Sequence, residues 1–535
     1  MSSPDLTPEE IQACLKVLNT IHAYDEEHPD YISVRRATGK MFKAVKRHRR
    51  VTKRDLISEA DRAVLAQTAT AAPDRIDDET RGNKLATSAT GKMFKAVKRH
   101  RRVSKRDLIS EADRAVIALT ATAAPDRIDD ETRGNKLAPS ATGKVAGHLI
   151  RSRPCYICKQ HYTQVDAFYH QLCPECATFN HAKRDARTDL TGRRALLTGG
   201  RAKIGMYIAL RLLRDGAHTT ITTRFPKDAA RRFAAMEDSG EWLHRLRIVG
   251  IDLRDPAQVM ALTDSLNEAG PLDIIINNAA QTVRRSGNAY KPLVDAEDEP
   301  LPAALEVANG GPELVTFGHA HDKHPLALAS SVTEHPVLAG DAITSLALST
   351  GSASLERIAS GTAIDAGGLV PDLATINSWT QVVDEVDPLE MLEVQLCNVT
   401  APFLLVSRLR PAMKLSTARR KYIVNVSAME GQFSRAYKGP GHPHTNMAKA
   451  ALNMMTRTSA QEMLETDGIL MTAVDTGWIT DERPHFTKVR LMEEGFHAPL
   501  DLVDGAARVY DPIVMGENGE DQYGVFLKDY KPSPW

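Results

Sequence analysis

Excess charge of either sign is missing from this chain. Lysine and arginine number 68 and aspartate and glutamate also 68, so the formal net charge at pH 7 is zero. With no global field to draw it onto a polyanion, neither nucleic acid nor an acidic membrane surface is expected as a partner. An apolar run long enough to cross a bilayer is also missing. The opening residues MSSPDLTPEEIQ are acidic and lack an apolar core, so no signal peptide is expected and a cytoplasmic location is. Cysteine is scarce, with six in 535 residues. Four of them fall in two close pairs, a usage that argues against a disulfide framework and for a bound metal.

What is present divides the chain into three regions. Residues 1–150 are expected to be a helical region. Leu15, Val17, Leu18 and Ile21 give its first segment an apolar face, which ends at Pro29. Residues 37–88 then recur as 89–140, differing at Thr52/Ser104, Leu65/Ile117, Gln67/Leu119 and Thr87/Pro139. Each copy predicts a basic helix (Met41–Arg50, Met93–Arg102). A second helix follows, opened by Thr52 or Ser104 with Asp55 or Asp107 three residues on. The clusters Lys46–Arg50 and Lys98–Arg102 can be read as phosphate contacts of a helical array, or as solvated faces of a recent duplication. The small divergence and the zero net charge favour the second.

Residues 151–186 carry Cys155-x-x-Cys158 and Cys173-x-x-Cys176, separated by fourteen residues. Two such knuckles can place four thiolates around one tetrahedral zinc. Four sulfurs close the shell, so the site is expected to be structural, stapling a segment too short to bury its own core. His161, His170 and His181 are left as surface or packing residues.

From Asp189 strands and helices alternate. An apolar run, Ala195–Leu197, enters Thr198-Gly199-Gly200, and an amphipathic helix begins near Ile204-Gly205. A strand, a glycine turn and a helix in that order present a helix N-terminus to phosphate. Further strands are expected at His218–Thr223, Leu246–Ile251 and Asp273–Ile276, with a helix over Pro256–Ala269. After Trp379, helices follow at Leu389–Lys414 and Met447–Glu465, with a strand ending in Ser427 and another at Ile469–Val474. The alternation predicts a doubly wound parallel α/β sheet with right-handed crossovers.

The residues Thr198-Gly199…Gly205, Asp252, Asn277-Asn278-Ala279, Asn398-Val399-Thr400, Asn425-Val426-Ser427, Lys449-Ala450-Ala451 and Thr476-Gly477-Trp478 resemble, in order and context, the short-chain dehydrogenase/reductase family over 189–535. The chain looks like a long member with a cysteine-rich extension. The resemblance implies that Thr198, Gly199, Gly200, Arg201, Ile204 and Gly205 hold a pyrophosphate. It implies further that Asp252 and Leu253 flank an adenine, that Asn278 and Ala279 line its ribose side, and that Lys449, Gly477 and Thr480 face the nicotinamide end. Arg224 ends the second strand, where no acid is available for a ribose 2′-hydroxyl, so NADP is favoured and NAD stays open. Lys203 stands where the family has its second glycine. It is expected to avoid the backbone conformations that need glycine.

The family's catalytic group is a serine, a tyrosine, a lysine four residues later and an asparagine. Lys449 and Asn398 match. The tyrosine position is Thr445, whose hydroxyl is far too weak an acid to replace a phenol. The serine position falls on Ala428, with Ser427 one earlier. Ser427, Tyr437 and His444 therefore stand as alternatives for the missing groups. Residues 281–378 read as an insertion of about ninety residues beside the expected substrate mouth, either a lid or a tolerated excursion. The expected activity is NADP-dependent oxidoreduction of an unidentified small carbonyl or alcohol by a homo-oligomer built through the helices bearing Asn398 and Lys449. The alternative is a nucleotide-binding sensor or scaffold without turnover.

Overall fold

The computed structural model describes residues 7–20, 28–29, 32–34, 38, 105–123, 144–285, 287–307, 310–317, 376–435, 438–479 and 497–535. Two compact units emerge, Met1–Ser104 and Lys105–Trp535. In the first, α1 (Pro8–Thr20) is the described helix, and its first turn carries Glu9 and Glu10, placed to complement the helix dipole. The two basic helices of the repeat lie outside the described residues.

The second unit opens with α2 (Lys105–Ala118), the expected second helix of the later repeat copy. It packs on β1 (Val145–Pro154), which pairs antiparallel with β2 (His161–Asp166). Asp113 of α2 accepts the Ile150 N–H at 2.7 Å, and Val116 lies against Gly147, where a Cβ would come within 3.0 Å. The expected boundary between residues 150 and 151 thus falls inside a strand, and the end of the repeat packs with the cysteine segment. Next come α3 (Pro174–Asp185), β3 (Arg194–Leu197), α4 (Lys203–Arg214), β4 (His218–Thr223), α5 (Pro226–Ala234), β5 (Leu246–Gly250), α6 (Pro256–Glu268) and β6 (Ile274–Asn277). Then α7 (Gly287–Asp298) and β7 (Glu313–Thr316) lead to α8 (Pro388–Gln395), which continues through a π-helical turn at Leu396–Thr400 into α9 (Ala401–Leu415). The chain ends with β8 (Lys421–Ser427), α10 (Pro443–Asp467), β9 (Ile469–Asp475), α11 (Leu502–Glu517), β10 (Phe526–Lys528) and β11 (Lys531–Ser533).

Among the described residues one sheet has nine strands in the order β11-β10-β9-β8-β6-β3-β4-β5-β7, parallel except for the β10–β11 pair. Its centre is apolar on both faces, as a parallel sheet covered twice requires. Ala195 and Leu197 of β3 meet α4 and α11 in one core, whereas Leu196 joins Val259 and Leu262 of α6 and Leu405 and Leu409 of α9 in the other. The doubly wound fold is therefore as the alternation predicts. The stretch Pro388–Leu415 proves long and apolar enough to span a bilayer by length and composition, contrary to the sequence expectation. Its buried face belongs to the second core.

The insertion is not wholly an excursion. Its described beginning folds as α7 and as β7, which extends the sheet beyond β5 (Arg247 opposite Glu313, Gly250 opposite Thr316). That places β7 at the β5 edge of the sheet, with α7 packed against α5. Its histidine-rich middle lies outside the described residues.

The cysteine segment shares a core with the sheet. Leu149, Tyr162, Phe168, Tyr169 and Leu172 pack with α4 and α11 residues. A buried polar seam fixes the docking. Arg184 of α3 donates to Asp501 at 2.6 and 2.7 Å and to Asp504 at 3.1 Å, and the Tyr169 hydroxyl donates to Asp504 at 2.5 Å. Arg508 of α11 donates to Asn180 at 2.9 Å. His170 and His181 are buried packing residues, hydrogen-bonded to Thr122 and Asp166, while His161 is exposed.

Candidate functional site

The C-terminal ends of β3, β4, β5 and β6 open on a cleft of about 400 Å³. Its floor is the turn between β3 and α4. The Thr198 hydroxyl oxygen accepts the N–H groups of Asn278 and Ala279, each at 3.0 Å. The Asn278 amide donates back to the carbonyls of Thr198 and Gly199 at 3.0 and 3.1 Å. The end of β6 thus clamps the turn. Gly199 has φ +68°, and a Cβ on Gly205 would lie 2.0 Å from the Gly199 carbonyl oxygen, so glycine is required at both positions.

Lys203 departs from expectation. Its φ is +55°, in the left-handed region it was expected to avoid. The turn keeps the backbone path that a glycine takes, and a lysine bears the strain, on the order of 1–2 kcal/mol. Arg201 also lines the cleft, but its guanidinium pairs with Asp228 at 2.5 Å. Burial alone would raise the Asp228 pKa, yet Arg201 and Arg232 together pull it below the usual carboxylate range.

Arg224, Asp252, Leu253, Asn278 and Ala279 all line this cleft with Gly199, Arg201, Ile204 and Gly205, whereas Thr198 and Gly200 do not, Gly200 lying against Ile221 of β4. Asp252 is buried and gripped by Arg254, which donates from Nη2 at 2.6 Å and also pairs with Glu393 at 2.8 Å. The cleft walls carry Arg201, Lys203, Arg224, Arg254 and Arg285, of which Arg201 is paired with Asp228 and Arg254 with Asp252 and Glu393. Sequence reasoning missed Arg254, Arg285 and Tyr290. Arg254 had a visible signal in standing two residues after Asp252, whereas Tyr290 lies within the insertion and belongs to no motif.

The catalytic candidates separate. Asn398 is buried on the π-turn. Its amide donates to the Gln281 carbonyl and accepts the Gln281 N–H, both at 2.8 Å, which fixes the segment leaving β6. Ser427 is buried and its hydroxyl donates to Asn453 Oδ1 at 2.6 Å. In this arrangement the Ser427 hydroxyl faces Asn453, and the serine position itself holds Ala428. His444 is buried, with Nε2 3.4 Å from the Thr445 hydroxyl. Burial, reinforced by His442, holds its pKa below the usual imidazole value. It is therefore neutral near pH 7 and a poor proton donor. Tyr437 and Thr480 lie outside the described residues. Lys449 is buried four residues after Thr445 and donates to the Val426 carbonyl at 2.7 Å. Burial lowers its pKa to about 8, opposed by the charges of Glu430, Cys397 and Asp475. Cys397 lines the cleft and its charge acts on the Lys449 ammonium, whereas Lys449, Asn398 and Gly477 are not among the lining residues.

Gly477, at φ +80°, follows β9 and donates to Asp475 at 2.9 Å. The next N–H, of Trp478, donates to the Tyr156 hydroxyl at 3.0 Å. Tyr156 sits between Cys155 and Cys158, so the cysteine segment touches this loop directly. The four sulfurs of Cys155, Cys158, Cys173 and Cys176 lie within 4.8 Å of one another, with Cys158 and Cys173 3.7 Å apart. A tetrahedral zinc with arms of about 2.3 Å has sulfur–sulfur edges of about 3.8 Å. All four are free of disulfides, and Cys155 Sγ accepts the Cys173 N–H at 3.3 Å. The cluster can hold a metal ion.

The family model described as short chain dehydrogenase matches residues 193–298 and 366–487. An uncharacterized protein of Acanthamoeba polyphaga mimivirus is 31% identical over 376 residues, which cover 68% of this chain and 71% of that protein. The peroxisomal 2,4-dienoyl-CoA reductase of Rattus norvegicus is 32% identical over 139 residues, 24% of this chain and 41% of the reductase. A crystal structure of a short chain dehydrogenase from Burkholderia cenocepacia in complex with NADP aligns with 64% of this chain and 97% of its own, at 20% identity and a TM-score of 0.39. On the matched family segments, the doubly wound sheet and the clamped glycine turn, the chain belongs to the short-chain dehydrogenase/reductase family.

Proposed function

We propose that this protein is an NADP-dependent oxidoreductase acting on a small carbonyl or alcohol. The observation that carries the reading is Arg224. It ends β4 inside a cationic cleft, at the place where an NAD enzyme needs a carboxylate for the ribose hydroxyls. A guanidinium there suits a 2′-phosphate. Thr198–Gly205 would cradle the pyrophosphate, with Asp252, Leu253, Asn278 and Ala279 around the adenosine and Lys449 and Gly477 toward the reactive ring. Bound NADPH would supply a hydride.

The proton then falls to this chain's own groups. Thr445 is too weak an acid, Ala428 offers nothing, and the Ser427 hydroxyl faces Asn453. Lys449, whose pKa burial brings to about 8, and Tyr437 stand as the candidates for that role. The same departures favour a second reading, a nucleotide sensor without turnover.

Titration calorimetry with NADP⁺ and NAD⁺, followed by NADPH oxidation against a carbonyl panel, tests both readings. NADP⁺ is expected to bind at least about tenfold tighter, as a charge-assisted phosphate contact implies. Equal affinities overturn the cofactor assignment. Turnover that survives Thr445→Ala and is lost in Lys449→Met supports the enzyme, and tight binding with no turnover supports the sensor.

Cys155, Cys158, Cys173 and Cys176 are read as holding one structural zinc, checked by a metal content of one ion per chain. Exposed Phe403, Met447 and Met454 on α9 and α10 support the homo-oligomer, checked by light scattering.

A further inference from the structure

The described start of the insertion is fastened to the nucleotide side of the sheet. Helix α5, which follows Arg224, begins with two N–H groups that an ordinary helix leaves open. Here Lys227 and Asp228 donate them to the Glu297 carboxylate of α7 at 3.0 and 2.7 Å. The Lys227 ammonium also reaches the Glu297 carbonyl at 2.6 Å, and Arg231 reaches the Ala296 carbonyl at 2.7 Å. These bonds span about seventy residues of sequence and fix where α7 sits.

The consequence is the position of Tyr290. Its ring stacks on Phe225, with centroids 6.1 Å apart and planes 21° apart. The Arg224 guanidinium lies 5.1 Å from the Tyr290 ring centre and 5.9 Å from that of Phe225. Arg224 Nη2 is 3.5 Å from the Tyr290 hydroxyl oxygen. Tyr290 is only 9% exposed, yet it lines the cleft beside Arg224. A free arginine side chain carries about 2 kcal/mol of rotamer entropy. Two aromatic rings that already hold the guanidinium remove part of that cost before a ligand arrives. The phenol contributes more than a ring. Its oxygen accepts from Arg224, which leaves its own proton to donate to an anion in the cleft.

We propose that Tyr290, delivered by the inserted helix α7, is a specificity-determining residue for 2′-phosphorylated adenosine nucleotides. It presents the Arg224 guanidinium to the 2′-phosphate and donates its hydroxyl to the same group. This rests on the reading of the cleft as an NADP site.

The test is calorimetry on the full chain with four probes: NADP⁺, NAD⁺, adenosine 2′,5′-bisphosphate and 5′-AMP. Wild type is compared with Tyr290→Ala, Tyr290→Phe and Arg224→Ala. Tyr290→Ala is expected to weaken both 2′-phosphorylated probes about tenfold and to leave NAD⁺ and 5′-AMP within about twofold. Tyr290→Phe keeps the ring, so the loss should be about threefold. An unchanged preference in both variants overturns the proposal. So does an equal loss for all four probes, which marks a purely structural role. If wild type itself shows no preference and Arg224→Ala changes nothing, it is the NADP reading that falls. Should Tyr290→Ala fail to fold, the phenylalanine variant decides alone.

Discussion

Lys449 carries a charge that the fold makes expensive, and stability should record it. Burial brings its pKa from 10.5 to about 8. At about 1.4 kcal/mol per pH unit, the ammonium costs the folded chain on the order of 3 kcal/mol. Below about pH 8 the group is charged in both folded and unfolded chains, and the cost is present in full. Between the folded and unfolded pKa values the native state sheds its proton first, the unfolded chain binds more protons, and stability rises with pH. Lys449→Met removes the term at every pH. The variant should therefore exceed wild type below about pH 8, and the gap should narrow by about 3 kcal/mol as pH approaches 10.5. Losing the donor to Val426 offsets the gap by about 1 kcal/mol at low pH. That offset lowers the curve more than it tilts it, and every other titrating group is common to both chains. Urea unfolding midpoints, taken without nucleotide across this range, supply the measurement. A gap that stays flat or widens with pH refutes the buried-cation reading.

Two further outcomes follow from the same structure. Arg184→Ala leaves Asp501 and Asp504 buried without their cation and should cost about 3–5 kcal/mol, read as a lowered urea midpoint. A loss below about 1 kcal/mol would mean the seam is solvated. Lys203→Gly relieves φ +55° and should stabilise by about 0.5–1 kcal/mol after the unfolded-chain entropy of glycine is counted. Any destabilisation would show that the lysine side chain offsets its own strain.

Six of the nine strands, β3 to β6, β8 and β9, were legible because each is short, apolar or β-branched and closed by a turn. His218–Thr223 was read to the residue, and Gly199 and Gly205 stand where turn sterics demand them. What escaped was set by distance or by single residues. Arg184 meets Asp501 across 317 residues, a separation periodicity cannot bridge. The helix expected over Leu389–Lys414 is interrupted at Leu396–Thr400, where a π-turn leaves the apolar rhythm almost unchanged. The alanine- and serine-rich middle dominates the composition of the insertion, and it hides α7 and β7 at its start. That Asn453 faces the Ser427 hydroxyl is likewise invisible in the sequence.

The cysteine segment and the proposed nucleotide cleft meet at one helix end, which would give a metal held by the four cysteines a reach beyond its own module. Asp501 and Asp504 form the capping box of α11, and Arg184 from the cysteine segment holds both carboxylates. The next residues face the other way. Leu502 lines the cleft, and a Cβ on Gly505 would touch Ile204 of the phosphate turn at 3.2 Å. Tyr156, between two cysteines, makes a second contact at Trp478, beside Gly477. Loss of a metal bound there should loosen α3 and Tyr156 together, and with them the contacts at Leu502 and Trp478. Cys173→Ser is therefore expected to weaken NADP⁺ binding by about three- to tenfold, the range of an ordinary coupling between sites. Arg184→Lys should show a smaller loss, because it keeps the charge and gives up the fork. Metal removal that leaves NADP⁺ affinity unchanged would confine the cysteine cluster to local stability, and α11 would then be a support rather than a connection.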